Sequence, residues 1–153
     1  MRFLIGADHR GGQAASNLAD HLSRNGHEAR VLPINEGPCD YPEPAHAVGA
    51  AVAAGEADAG VLICGTGIGM SIAANKVSGV RAAVVHDELT AQLSRSHNNA
   101  NVLCFSADLI GQTLIEKSVD AFVSSDFEGG RHARRIRKIE AIERGEDPGS
   151  VNE

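Results

Sequence analysis

Residues 60–76 read GVLICGTGIGMSIAANK and carry the strongest structural pattern in the chain. Four consecutive apolar residues, 61–64, predict a short buried strand. The glycine-rich residues 65–69 predict a tight turn, and residues 71–76 predict the start of a helix. In parallel α/β proteins ligands bind at the carboxyl ends of strands, and a glycine loop that opens a helix offers unpaired N–H groups to an anion. We therefore expect a site at this loop, beside the thiol of Cys64.

Strand and helix patterns alternate on both sides of this stretch. Strands are predicted over residues 3–7, 29–32, 80–85 and 102–105, and helices over residues 13–24, 45–54, 88–96, 109–123 and 132–143. Residues 34–44, INEGPCDYPEP, are predicted to be a loop. This alternation predicts an α/β single domain over residues 1–144, with a three-layer α/β/α Rossmann-like fold and a five-stranded parallel sheet. A polar C-terminal tail, residues 145–153, is expected to fray.

Composition narrows the classes of function. The 153 residues are 42% hydrophobic, which suits one domain with its own core. A net charge of −6 argues against general nucleic-acid binding. The three cysteines have neither disulfide-framework nor metal-ligand spacing, which favours a reducing compartment. No signal-peptide or membrane-span pattern is present. We expect a soluble, cytoplasmic protein that binds neither nucleic acid nor membrane.

Polar clusters flank three of the predicted strands. One follows the first strand and one follows the third, so both belong to the carboxyl edge of the sheet. A third precedes the fifth strand and must enter from the opposite edge or from a second subunit. In residues 131–138, RHARRIRK, two arginines stand one helical turn apart and can converge on one ligand. The residues concerned are Asp8, His9, Arg10, Cys64, Gly65, Thr66, Gly67, Ile68, Gly69, His97, Asn98, Arg131 and Arg135.

Each of these features also has an ordinary structural interpretation. A cysteine is more often buried core than a catalyst, and Cys104, inside an apolar strand, is assigned to packing. A lone histidine such as His97 often caps a helix or fills a space, and RHARRIRK by itself is typical of a solvated helical face. Sharp turns need glycine without any ligand. The coincidence of a thiol, a glycine loop, histidines and paired arginines favours a functional site.

Three rival chemistries fit the same residues less well. A P-loop needs Gly-Lys followed by Ser or Thr, whereas this loop continues Gly69, Met70, Ser71. A dinucleotide-binding fingerprint has Gly65 and Gly67 and an acidic Asp87 after the next strand, but Met70 stands in place of the third glycine. A thiol hydrolase, with His97 as the partner of Cys64, would leave the anion-binding residues without a role.

Five motifs together resemble one known family. They are GADH at residues 6–9, DYP at 40–42, CGTGIGMSIAANK at 64–76, SRSHNNANVL at 94–103 and GGRHARR at 129–135. In these motifs the chain is similar to the type B ribose 5-phosphate isomerases, a family that includes allose 6-phosphate and galactose 6-phosphate isomerases. The resemblance covers nearly the whole chain. It does not specify the sugar.

The resemblance implies an aldose–ketose isomerase of a sugar phosphate that works through a cis-enediolate, without metal or other cofactor. By position, Cys64 is the base and His97 assists ring opening. The implied substrate contacts are Asp8, His9, the loop Gly65, Thr66, Gly67, Ile68 and Gly69, and Asn98, with Arg131 and Arg135 on the phosphate. The family builds its site at a homodimer interface, and a tetramer stays open. Ribose 5-phosphate is the favoured substrate. The alternatives are a six- or four-carbon sugar phosphate or, from another class, a non-catalytic nucleotide-binding module.

Elementary chemistry agrees with these roles. Removing a carbon-bound proton places negative charge on a carbonyl oxygen, which loop N–H groups can stabilise. A nearby helix N-terminus favours the thiolate of Cys64. A histidine with a pKa near 6.5 can both give and accept a proton. The Thr66 hydroxyl can hydrogen-bond the thiolate, relay a proton between substrate oxygens or only brace the turn.

One position departs from the family pattern. Asp108 stands where relatives carry a further phosphate-binding arginine, just after the fifth strand. We hypothesise that Arg10 restores the missing positive charge. The alternatives are a substrate of different length, or a role for Asp108 as the cap of a helix that starts at Leu109.

Overall fold

The computed structural model describes residues 1–33 and 39–151. Within them, strands and helices alternate in chain order. The strands are β1 (Arg2–Ala7), β2 (Glu28–Val31), β3 (Ala59–Cys64), β4 (Ala82–Val84) and β5 (Val102–Ser106). The helices are α1 (Gly12–Arg24), α2 (Pro42–Ala53), α3 (Ile68–Ala74), α4 (Glu88–Asn98), α5 (Gln112–Val123) and α6 (Arg131–Glu143), followed by a 3₁₀ turn at Pro148–Ser150. In these ranges no helix combines the length and apolar character needed to cross a membrane.

The strands form one parallel sheet in the order β2-β1-β3-β5-β4. This confirms the predicted five-stranded parallel α/β fold. From β1 the chain moves outward to β2 at one edge, and from β3 it crosses to β4 at the other edge before β5 takes the place between β3 and β4. The strand order therefore reverses between β1 and β3. In open α/β sheets ligands bind at such a reversal, at the carboxyl ends of the strands.

The core lies on both faces of the sheet. On one face, Val61 and Ile63 of β3 pack in a cluster with residues of α1, α4 and α5. On the other, Leu62 and Cys64 pack in a cluster with residues of α2 and α3. All six residues of β3 are buried, as expected for a central strand covered on both sides. The thiol of Cys64 thus points toward the face that carries α2 and α3.

Three helices begin elsewhere than predicted. Helix α2 starts at Pro42, so YPEP is not loop, because proline suits the first turn of a helix. Helix α3 starts at Ile68, directly after the left-handed Gly67, so the turn is shorter than expected. Helix α5 starts only at Gln112. Strand β4 is limited to Ala82–Val84. Of the predicted loop, residues 34–38 lie outside the described residues.

Candidate active site

Asp8 joins the end of β1 to β3 and to α1. Its N–H donates to the Ile63 carbonyl at 3.2 Å. Its Oδ1 accepts the N–H groups of Arg10, at 2.9 Å, and Gly11, at 3.2 Å. Asp8 is 6% exposed, whereas the next residue, His9, is exposed. Asp8 therefore fixes the chain immediately before α1 at the same sheet edge as Cys64.

Cys64 lies at the end of β3 with a hydrogen-bond donor directed at its sulfur. The residue is 5% exposed, and the Gly67 N–H donates to Sγ at 3.1 Å. Gly67 makes this contact with a φ of +76°, in the left-handed region that favours glycine. The Thr66 hydroxyl accepts the Ile68 N–H at 3.3 Å, so it braces the turn. Among the described residues, the backbone N–H groups of Thr66 and Gly69 have no hydrogen-bond partner, so both are available to an oxyanion.

Tyr41 covers the outer side of this loop. A Cβ added at Gly69 would lie 2.6 Å from Cε2 of the Tyr41 ring, so the ring rests directly on the glycine. Tyr41 is nevertheless 45% exposed. Tyr41 directly precedes α2, so its contact with Gly69 connects the start of that helix with the loop after β3.

Arg10 and Asp108 form an ion pair above Gly65. The Arg10 guanidinium binds the carboxylate through Nε, at 2.9 and 3.1 Å, and through Nη2, at 2.7 Å. A Cβ at Gly65 would lie 3.0 Å from Asp108 Oδ2 and 3.3 Å from Arg10 Cδ. The idea that Asp108 caps a helix at Leu109 is wrong, because α5 begins after Gly111 and the carboxylate binds Arg10. Arg10 thus neutralises the unexpected carboxylate rather than adding a net positive charge.

His97 lies at the opposite edge of the sheet. It belongs to the last turn of α4, which is 11 residues or about 16 Å long and leads back to the start of β5. The chain just beyond His97 meets the amino end of β3, where the Asn101 carbonyl accepts the Gly60 N–H at 2.8 Å. Cys64 is at the other end of β3, about 16 Å from Ala59 along the strand. One copy of the chain therefore does not bring His97 and Cys64 together.

His97 is surrounded by residues that precede and open α6. Its ring stacks on that of His132, with centroids 4.2 Å apart and an interplanar angle of 11°. Glu128 Oε2 lies 3.8 Å from Nε2 of His97 and 3.6 Å from Nε2 of His132. The Glu128 N–H donates to the Ser96 carbonyl at 3.0 Å, which attaches the segment before α6 to α4. Arg131 is thereby held near His97.

The two histidines and Glu128 also have the composition of a metal site. Their potential ligand atoms lie within 4.8 Å of one another. Arg131 Nε, however, donates to His132 Nε2 at 3.4 Å and so occupies that lone pair. The stacked rings direct their lone pairs side by side rather than toward one point. We interpret the group as a stack of two rings beside a carboxylate that fixes His97, not as a metal centre.

The predicted site residues thus fall into two groups. The loop half-site, at the carboxyl edge, contains Asp8, His9, Arg10, Cys64, Gly65, Thr66, Gly67, Ile68 and Gly69. The helix half-site, at the other end of the sheet, contains His97, Asn98, Arg131 and Arg135, with the two exposed arginines one turn apart on α6.

Sequence reasoning missed four neighbours of these half-sites. They are Tyr41 on Gly69, Ser106 beneath Gly65, and Glu128 and His132 beside His97. Tyr41 and His132 stand within the family motifs, so those motifs could have pointed to them. Ser106 and Glu128 have no local signal, because their contacts are with distant parts of the chain.

His132 makes the stability of the fold sensitive to acid. Burial lowers the pKa of His132, and the charges of His97 and Arg131 act in the same direction. Since an unfolded histidine has a pKa of about 6.5, the unfolded chain takes up the proton first. The free energy of unfolding should therefore fall as the pH drops below about 6.5. We expect the melting temperature of His132→Phe to depend less on pH than that of the wild type between about pH 5.5 and 7.5. The exposed His46 is the control, since His46→Gln should leave the slope unchanged; equal slopes in wild type and His132→Phe would contradict this assignment.

Asp87, from the dinucleotide alternative, and Cys104, assigned to packing, both have structural roles. The Asp87 side chain caps α4 by accepting the Thr90 N–H at 2.7 Å. It also follows β4, which β5 separates from β3, so it is not adjacent to the glycine loop as a dinucleotide site requires. Cys104 is fully buried, and burial, with the nearby Cys64, raises its pKa. The assignment of Cys104 to packing is confirmed.

Known proteins resemble this chain over nearly all of its length. Ribose-5-phosphate isomerase B of Escherichia coli K12 is 44% identical over 147 residues, covering 93% of this chain and 96% of that protein. A D-erythrulose-4-phosphate isomerase of Pectobacterium atrosepticum is 39% identical, covering 91% and 93%. The crystal structure of ribose-5-phosphate isomerase B from Mycoplasma genitalium with bound ribulose-5-phosphate superimposes with a TM-score of 0.89 at 42% identity, covering 94% and 96%.

A sequence profile gives the same result. The profile described as Ribose/Galactose Isomerase matches residues 3–139, which include every residue of both half-sites. The predicted resemblance to the type B ribose 5-phosphate isomerases is thereby confirmed. From the matched sequence and the matched fold together, the chain belongs to the Ribose/Galactose Isomerase family.

Proposed function

We propose that this protein interconverts ribose 5-phosphate and ribulose 5-phosphate. Membership of the family confirms the predicted enzyme class, an aldose–ketose isomerase of sugar phosphates. The observation that carries the proposal is Cys64, with a backbone donor 3.1 Å from its sulfur and the unpartnered N–H groups of Thr66 and Gly69 beside it. This arrangement places a base next to donors for an oxyanion. The ribulose-5-phosphate bound to the Mycoplasma genitalium relative supports a five-carbon substrate.

Cys64 performs the proton transfer. Its thiolate takes the proton from the carbon next to the carbonyl, and the electron pair of the broken C–H bond forms the enediolate double bond. The carbonyl oxygen becomes an oxyanion, which accepts the loop N–H groups. Cys64 then returns a proton to the former carbonyl carbon, and the hydroxyl proton passes between the two oxygens. The Gly67 N–H is a donor that a thiolate accepts in a short, charge-assisted bond.

Ring opening and phosphate binding belong to the helix half-site. His97 transfers a proton to or from the ring oxygen, while Asn98 contacts the sugar. Arg131 and Arg135 present two guanidinium groups on one side of α6, which suits a phosphate dianion. Glu128 and the stacked His132 support His97 in this position. Asp8 and His9 contact the sugar from the loop half-site.

The active site is formed by two copies of the chain. The two half-sites lie at opposite ends of β3, and one substrate molecule must reach both. In a homodimer with a two-fold axis, the loop half-site of each copy meets the helix half-site of the other. The dimer then has two equal active sites. Pairing of dimers into tetramers stays a prediction.

Arg10 should affect substrate binding through Asp108. Removing the guanidinium leaves an unpaired carboxylate beside Gly65, which repels the phosphorylated substrate. We expect Arg10→Ala to raise KM by about tenfold, the effect of one unfavourable charge worth about 1.4 kcal/mol. The double variant Arg10→Ala/Asp108→Ala should recover most of this loss. A KM in Arg10→Ala equal to that of the wild type would show that the pair has no part in binding.

Cytoplasmic location is part of the proposal. All three cysteines, Cys39, Cys64 and Cys104, are free thiols, which suits a reducing compartment. The proposed base must also stay reduced to act.

A direct assay tests the proposed activity. Purified protein is supplied with ribose 5-phosphate, with allose 6-phosphate or with erythrulose 4-phosphate, and the product sugar is followed. We expect the highest kcat/KM for ribose 5-phosphate. Preference for a six- or four-carbon substrate would keep the enzyme class and change the substrate. No turnover of any of them, together with measurable nucleotide binding, would instead favour a binding module.

A further inference from the structure

Ser106 lies beneath the glycine loop and bonds it to the end of β5. It is the last residue of β5 and is fully buried. Its hydroxyl donates to the Gly65 carbonyl at 2.5 Å and accepts the N–H groups of Leu109, at 2.9 Å, and Asp108, at 3.2 Å. The Asp108 N–H also approaches the Gly65 carbonyl at 3.3 Å. One hydroxyl therefore holds both the loop after β3 and the turn after β5.

This contact fixes the direction of one peptide group. The peptide between Gly65 and Thr66 is trans, so its C=O and N–H point in opposite directions. Because the carbonyl is held toward Ser106, the Thr66 N–H is directed away from the Ser106 hydroxyl. Thr66 is exposed, so this side of the loop is open to a ligand. That N–H has no partner among the described residues.

The Arg10–Asp108 ion pair lies next to the same peptide. The turn held by Ser106 carries Asp108, whose carboxylate pairs with Arg10 over Gly65. The serine hydroxyl on one side and the ion pair on the other leave the Gly65–Thr66 peptide little freedom to rotate. An alanine at position 106 would lose the donor to Gly65 and the acceptor for both turn amides together.

We propose that Ser106 is a positioning residue that aims the Thr66 N–H at the oxyanion formed during isomerisation. The assignment rests on the proposed function, since that function makes the loop an oxyanion site. Ser106 itself does not touch the substrate. Its contribution belongs to the transition state, because the charge that the Thr66 N–H stabilises develops only during proton transfer. Loss of the hydroxyl should thus lower kcat and leave KM nearly unchanged.

The test compares three serine variants. Ser106→Ala is expected to lower kcat by about 10- to 100-fold, less than the complete loss of an oxyanion donor because the Thr66 N–H is displaced and not removed, with KM within about twofold. Ser106→Thr retains the hydroxyl and should recover most of the rate. Ser94→Ala is the matched control, because it removes another buried hydroxyl, bonded to the Ala91 carbonyl at 2.7 Å on α4. It should change the melting temperature without changing kcat.

A kcat for Ser106→Ala within twofold of the wild type would overturn the assignment, as would a kcat loss equalled by Ser94→Ala. Amide NMR gives a readout that needs no turnover. In Ser106→Ala the Leu109 amide should exchange at least about tenfold faster, and the Thr66 amide resonance should shift. An unchanged Thr66 resonance would overturn the assignment by itself. If the wild type isomerises no sugar phosphate, the proposed function fails, and the NMR result still decides whether Ser106 orients the loop.

Discussion

Cys64→Ser is expected to lose about 10²- to 10⁴-fold in kcat on ribose 5-phosphate, the range that a positioned general base contributes. A serine hydroxyl is a far weaker acid than a thiol, so it offers almost no anionic base at neutral pH. The change is nearly isosteric, and the Gly67 N–H can donate to the new oxygen as it does to sulfur. Folding and substrate binding should therefore persist. Steady-state kinetics and a melting curve of the variant measure the two effects separately.

Cys104→Ala is the matched control for this prediction. Cys104 is another buried thiol near the centre of the sheet, packed in the same core cluster as Cys64. Its removal should lower the melting temperature through lost packing while kcat stays within about twofold of the wild type. If Cys64→Ser kept full turnover, Cys64 would not be the base, although the fold and the substrate class would stand.

Gly67→Ala is expected to lose about 10²-fold in kcat, a loss typical of a misplacement of about 1 Å in a catalytic group. Gly67 has a φ of +76°, and an added Cβ would lie 3.1 Å from the backbone C and O of Phe105. The left-handed conformation costs a non-glycine residue about 1–2 kcal/mol, and the backbone of β5 cannot move aside easily. The N–H that contacts Cys64 Sγ would shift with the strained loop. Kinetics with ribose 5-phosphate and the rate of Cys64 alkylation check this result.

Gly26→Ala separates backbone strain from damage to the site. Gly26 has a similar φ of +81°, but nothing lies within 4 Å of an added Cβ, and it follows α1 at the other end of the sheet. It should lose stability by about 1 kcal/mol and keep its kcat. Equal kcat losses in both variants would mean that Gly67→Ala lowers kcat only by destabilising the fold.

Local patterns predicted the fold and the loop half-site. The apolar run 61–64 and the glycines Gly65 and Gly67 stand within seven consecutive residues. This short stretch is enough to predict a strand, a turn and a helix without the rest of the chain. The alternation of strands and helices likewise predicted a parallel sheet, now seen in the order β2-β1-β3-β5-β4. The two predicted clusters after β1 and β3 share one edge because these strands are neighbours and run parallel.

Contacts between distant residues could not be predicted in the same way. Arg10 and Asp108 are 98 positions apart, and their pairing follows from the order β1-β3-β5, which places the segments after β1 and β5 on either side of the loop after β3. The stacking of His97 on His132 depends on the contact between α4 and α6. Helix starts at Pro42 and Ile68 were misplaced because proline and glycine were interpreted as breakers, whereas here each stands at a position where it helps a helix begin.

Mixing two inactive variants tests the shared active site most directly. Cys64→Ser removes the proposed base of the loop half-site, and His97→Asn removes the proposed ring-opening group of the helix half-site. Each variant should be nearly inactive alone. After equal amounts are unfolded and refolded together, half of the dimers should be mixed, and each mixed dimer has one site with both half-sites intact. We expect recovery of about a quarter of wild-type activity on ribose 5-phosphate. Mixed dimers that form, as shown by a tag on one variant, and yet stay inactive would contradict a shared active site.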